Sequence, residues 1–65
     1  MKPVIITTIT NPQGTSVALY RQGRAYHVGV LSSHRRPVPL ADSTFWTYEA
    51  AHERLMAEAQ ARQNQ

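Results

Sequence analysis

The residues of this chain whose types could do chemistry are three histidines, His27, His34 and His52, and a close group of Ser32, Ser33, His34 and Asp42. A helical metal site needs ligands one turn apart, and no two of the histidines have that spacing. There is no cysteine to supply a thiolate. Serine, histidine and aspartate are the residue types of a hydrolytic triad, but here they crowd one stretch. Nothing marks a nucleophile elbow or an oxyanion hole. Glu49 and Glu53 stand a helical turn apart, a spacing that suits a solvated face better than an acid–base pair. No glycine-rich phosphate loop is present. These residues argue against an enzyme and call for no metal and no cofactor.

The basic residues make a stronger pattern. The chain has 65 residues and a net charge of +3. Residues 1–41 hold Lys2, Arg21, Arg24, Arg35 and Arg36 and no acid, whereas residues 42–65 hold Asp42, Glu49, Glu53 and Glu58 against Arg54 and Arg62. A one-signed field of that kind concentrates polyanions or acidic protein surfaces near the chain. Arg35 and Arg36 lie in "SSHRRPVPLADS" (32–43), where no strand or helix period runs. If that stretch folds back beside a sheet, it joins Arg21 and Arg24 in one basic edge for phosphates. The plain alternative is that each arginine only solvates an exposed tip.

The elements that must position these residues follow from local pattern. "VIITTIT" (4–10) is β-branched throughout and reads as a strand. "NPQG" is a turn, with proline presetting φ and Gly14 taking a left-handed exit. "TSVALYRQ" (15–22) and "RAYHVGVLS" (24–32) are two more strands, joined by Gln22-Gly23. A loop of those two residues sets Leu19 opposite Tyr26 and Val17 opposite Val28. A bulge at Gly14 sets Ile9 opposite Val17 and Thr7 opposite Leu19. Ile5, Ile9, Val17, Leu19, Tyr26, Val28 and Val30 then share one apolar face. "TYEAAHERLMAEAQAR" contains no Gly or Pro and is rich in helix formers, with Thr47 as its cap. Tyr48, Ala51, Leu55 and Ala59 form its buried stripe, with Met56 on the edge.

The expected fold is α+β: a three-stranded antiparallel meander followed by one C-terminal helix on one sheet face (βββα). Residues 1–65 form a single domain, with the meander over 2–32, a basic proline-containing loop over 33–43, the helix over 44–62 and a frayed tail over 63–65. The opposite face would show Val4, Ile6, Ala18, Tyr20 and Leu31 among Thr8, Ser16, His27 and Gly29. One helix cannot cover both faces, so the second face predicts an interface, in a homodimer that pairs these faces or pairs edge strands to extend the sheet, or with another protein. Tyr20, His27 and Trp46 are its candidate contacts; Trp46 either anchors a partner or staples the helix start to the sheet.

The stretch "TFWTYEAA" (44–51), following strands in that order, resembles the AP2-type DNA-binding domains of plants and of some integrase arm-binding segments. In those, a Phe, a capping Thr and a Glu-Ala-Ala-type start follow the third strand, and the sheet enters the major groove. The likeness covers about eight residues and the order of elements. The strands here lack the family's interleaved Arg and Trp, and the link before the helix is longer, so no site residue is transferred.

Together these features predict a small non-catalytic binder of nucleic acid, working through Arg21, Arg24, Arg35 and Arg36. The alternative is a phage- or mobile-element-type accessory protein that inhibits or modulates a larger host protein. The first residues are too short an apolar run for a signal or a membrane span, so the expectation is a cytoplasmic protein without a membrane partner.

Overall fold

Val4–Thr10 (β1), Ser16–Gln22 (β2), Ala25–Leu31 (β3) and Pro37–Phe45 (β4) form one antiparallel sheet in the order β1-β2-β3-β4, and Tyr48–Gln63 forms a single helix, α1. The computed structural model describes residues 2–63. The architecture is therefore ββββα, one strand more than the sequence pattern predicts. Residues 37–45 are a strand, and only 32–36 remain a loop.

Proline made β4 illegible. Its ring removes a ladder donor, so a Pro-Val-Pro step argues against a central strand. β4 is an edge strand paired to β3 alone, however. Pro37 and Pro39 are two residues apart, so their nitrogens face the same side, and the ladder is unharmed when that is the free side. Leu31 pairs with Pro37, Val30 with Val38 and Gly29 with Pro39. The next pair is His27 with Thr44, so residues 40–43 bulge out opposite the single residue Val28. Asp42 takes a φ of 53° there, and the Ser43 hydroxyl donates to the Leu40 carbonyl at 2.6 Å. The helix holds this bulge. Arg54 donates from Nη1 to the Asp42 carbonyl and from Nη2 to the Ala41 carbonyl, each at 3.1 Å.

The first hairpin has the predicted register, with Ile9 opposite Val17 and Thr7 opposite Leu19. Gly14 donates to the Asn11 carbonyl at 3.0 Å and has a φ of 90°. The second hairpin turns at Gly23-Arg24, not at Gln22-Gly23: Gln22 pairs with Ala25, Leu19 with Val28 and Val17 with Val30. Gly23, with a φ of 68°, thus sits first in the loop, where a type II′ turn needs positive φ. The slip is two residues, which preserves the side of every side chain. Ile5 is different. β1 carries a bulge between Ile5 and Thr7, so Ile5 pairs with Tyr20 and leaves the apolar face assigned to it.

Val17, Leu19 and Val28 meet Ala51 and Leu55 of α1 in the core, with Ile9, Tyr26, Val30, Leu40, Phe45 and Ala59 packed around them. The helix starts where its cap predicts: Thr47 Oγ1 accepts the Ala50 N–H at 3.3 Å. Thr44 and Phe45 belong to β4, so the helix begins later than residue 44. It runs through Gln63, and the rest of the expected frayed tail, residues 64 and 65, lies outside the described residues. Asn11 ties the far end down, donating from Nδ2 to the Arg62 carbonyl at 3.3 Å.

Candidate nucleic-acid interface

The β3–β4 loop repeats the build of the β1–β2 loop. Ser32 stands where Asn11 does: its carbonyl accepts the Arg35 N–H at 2.9 Å, and its N–H donates to the Arg36 carbonyl at 2.9 Å. Its hydroxyl accepts the N–H groups of His34 and Arg36 at 3.3 and 3.2 Å. The place of Gly14 falls to Arg35, with a φ of 59°. An arginine in this left-handed region costs about 1 kcal/mol that a glycine would not. Ser32 is thus committed to holding the loop, and Asp42 lies well along β4, in its bulge. Among the described residues, no three His, Asp or Glu side chains come together.

The sheet is strongly coiled, and the face away from α1 is concave. At Gly29 a Cβ atom would fall inside contact distance of the Val38 carbonyl oxygen and 2.8 Å from its carbon, so β4 folds close over this face. Ala18 and Tyr20 are buried there at 0% and 3% exposure although the helix is on the other side. Tyr20 stacks on His27 with ring centroids 5.3 Å apart, and Thr44 Oγ1 lies 3.3 Å from His27 Nδ1. Burial raises the Tyr20 hydroxyl pKa above its ordinary 10.0. Tyr20 and His27 therefore belong to the floor of the face and do not project from it.

Two opposite corners of the sheet face each other across this floor. Lys2, Pro3, Ile5 and Gln22 from one corner and Arg35, Arg36 and Pro37 from the other border an open hollow of ≈ 590 Å³. Three cations and no acid line it. Lys2 also borders a neighbouring hollow with Val4, Ile6, Arg21 and Gly23. Of the four predicted arginines, Arg35 and Arg36 line this hollow and Arg21 lines the neighbouring one. Arg21 and Arg24 lie at the β2–β3 end of β3 and Arg35 and Arg36 at its other end, while Gln22, beside Arg21, lines the same hollow as Arg35 and Arg36. Arg21 lies over the Tyr26 ring at 6.0 Å and donates from Nε to the Gly23 carbonyl at 3.2 Å. Lys2 borders both hollows, one with Arg21 and the other with Arg35 and Arg36.

Charge divides between the layers. The helix carries Glu49, Glu53 and Glu58, and Glu58 takes both helical arginines, Arg54 through Nε at 2.9 Å and Arg62 through Nη1. Trp46 is 76% exposed just before the Thr47 cap. It does not staple the helix to the sheet.

Compared with family models, curated proteins and solved structures, the chain matches none. The order of elements shared with AP2-type domains is also lost, because β4 intervenes between the third strand and the helix. Among the described residues, no helix is long and apolar enough to cross a membrane.

Proposed function

We propose that this is a small non-catalytic cytoplasmic protein that binds nucleic acid as a dimer, gripping phosphates with Lys2, Arg35 and Arg36 around the concave sheet face. Arg21 and Arg24 extend the contact toward the β2–β3 end. The observation that carries this reading is the hollow lined by three cations and no acid on the face opposite the acidic helix. The backbone of Arg35 supports it: a long cation held at φ 59°, where glycine is the easier residue, is the pattern of local cost retained for a function.

Fluorescence anisotropy against short random duplex DNA at two salt concentrations tests the reading. Binding should fade with salt, with a log–log slope of about −0.9 per phosphate neutralised. The double variant Arg35→Gly, Arg36→Ala should abolish it while leaving the fold intact. Absence of binding at low salt would overturn the reading.

A second reading has its own support. Trp46, 76% exposed beside Tyr48 at 40%, has the form of an aromatic anchor for a larger protein that this chain would inhibit or modulate. Such binding would change little with salt, would survive the double arginine variant and would be lost in Trp46→Ala.

A further inference from the structure

We propose that β1 is the dimer interface: two copies pair β1 against β1, antiparallel about a twofold axis normal to the sheet, giving one eight-stranded sheet. The two free edges of the monomer are unlike. β4 is guarded by Pro37 and Pro39, which have no N–H to offer, and by the 40–43 bulge that Arg54 pins. Sheets blunt edges in these ways to prevent pairing with other chains. β1 has no proline and no pinned loop, and its own bulge, between Ile5 and Thr7, leaves Thr7–Thr10 regular. Its seven residues, VIITTIT, include no proline, glycine or charge, and Val4, Ile5 and Ile6 are 63%, 38% and 42% exposed. A sheet guarded along one edge and left regular and β-branched over Thr7–Thr10 of the other is open to pairing at the second.

Cover points the same way. α1 packs chiefly on β2, β3 and β4. On the β1 side its flank leaves Met56 49% exposed, beside a hollow of ≈ 230 Å³ lined by Ile9, Met56, Ala59, Gln60 and Gln63. A second copy brings its own Ile9 and Met56 to this strip. The bulge at Ile6 restricts the regular part of β1 to Thr7–Thr10, and matching faces then require the twofold axis to pass at a residue of this segment, such as Thr8. Centred on Thr8, the pairing puts Thr7 opposite the partner's Ile9 on the helix face, and Thr8 opposite the partner's Thr8 on the concave face. These are uncharged, branched pairs that suit a sheet, and an isologous contact needs such self-complementarity. The twofold axis leaves both helices on one face and both cationic hollows on the other. The inference rests on the dimeric binder proposed above, but the pairing itself needs no ligand.

The test is sedimentation velocity of the full chain over a range of concentrations, without nucleic acid, at low and high salt. Dimer formation should strengthen with salt, because two copies of net charge +3 repel less when screened. Nucleic-acid binding has the opposite salt dependence, so the two readings fail separately. Thr8→Lys should weaken the dimer about tenfold or more while circular dichroism and melting report a folded chain. Thr10→Lys, also exposed on the concave face, serves if Thr8→Lys does not fold. An equimolar mixture of Thr8→Lys and Thr8→Glu should recover dimers that neither forms alone. A wild-type chain that stays monomeric throughout, a folded Thr8→Lys that dimerises undiminished, or loss of the dimer in Trp46→Ala would each overturn the proposal.

Discussion

Gly14 and Arg35 hold the same position in two hairpin loops of one construction, at φ 90° and 59°. Asn11 and Ser32 organise the two loops with matching hydrogen bonds. Arg35→Gly should therefore stabilise the fold by about 0.5–1 kcal/mol, the relief of the left-handed side chain exceeding the entropy returned to the unfolded chain. Gly14→Ala should destabilise by about 1 kcal/mol. Nothing within 4 Å would touch its added Cβ, so the effect is one of backbone conformation alone. Denaturant unfolding of both variants checks the pair, and a gain in stability with a loss of DNA binding in Arg35→Gly would separate the loop's two roles.

Gly29→Ala should cost about 2 kcal/mol or more. The new methyl meets the backbone of Val38 and Pro39, which cannot rotate away as a side chain does. Thermal melting measures the loss.

Arg54→Ala should cost about 1–2 kcal/mol, because the Ala41 and Asp42 carbonyls lose charged donors and the bulge loses its tie to the helix. Hydrogen exchange should show faster opening of residues 40–45 than of β2 and β3. Uniform loss of protection across the sheet would contradict the pinning role.

Acid should weaken the fold through Glu58. Its carboxyl is held below the ordinary 4.5 chiefly by the hydrogen bond from Arg62, helped by Arg54 and opposed by burial. Stabilisation from a lowered pKa is present above 4.5 and lost as pH falls through the folded value. As pH falls through 4.5 and below, wild type should lose stability more steeply than Glu58→Gln, and the two should converge in acid.

At the alkaline end, Tyr20 acts with the opposite sign. Burial raises its pKa above 10.0, so its contribution is intact below that pH and lost as pH rises through the folded value. Tyr20→Phe should flatten the alkaline loss of stability in a pH series of melts.

Sequence alone determined what depends on neighbours in the chain. β1, β2 and β3 follow from β-branched runs between turn residues, the Thr47 cap fixes the helix start, and period-two parity assigns Val17, Leu19 and Val28 to the buried face even where the register slips by two. Tertiary structure decided the rest. Pro37 and Pro39 are tolerable in a strand only at a free edge, and nothing local says which strand will be the edge. The Ile6 bulge moved Ile5 off the core face, and the coiling that bulges and Gly29 permit buried Tyr20 without the helix. The same coiling brought Lys2 to Arg35 and Arg36. Distances across a sheet face depend on twist and bulges summed over four strands, and no short window of sequence contains that sum.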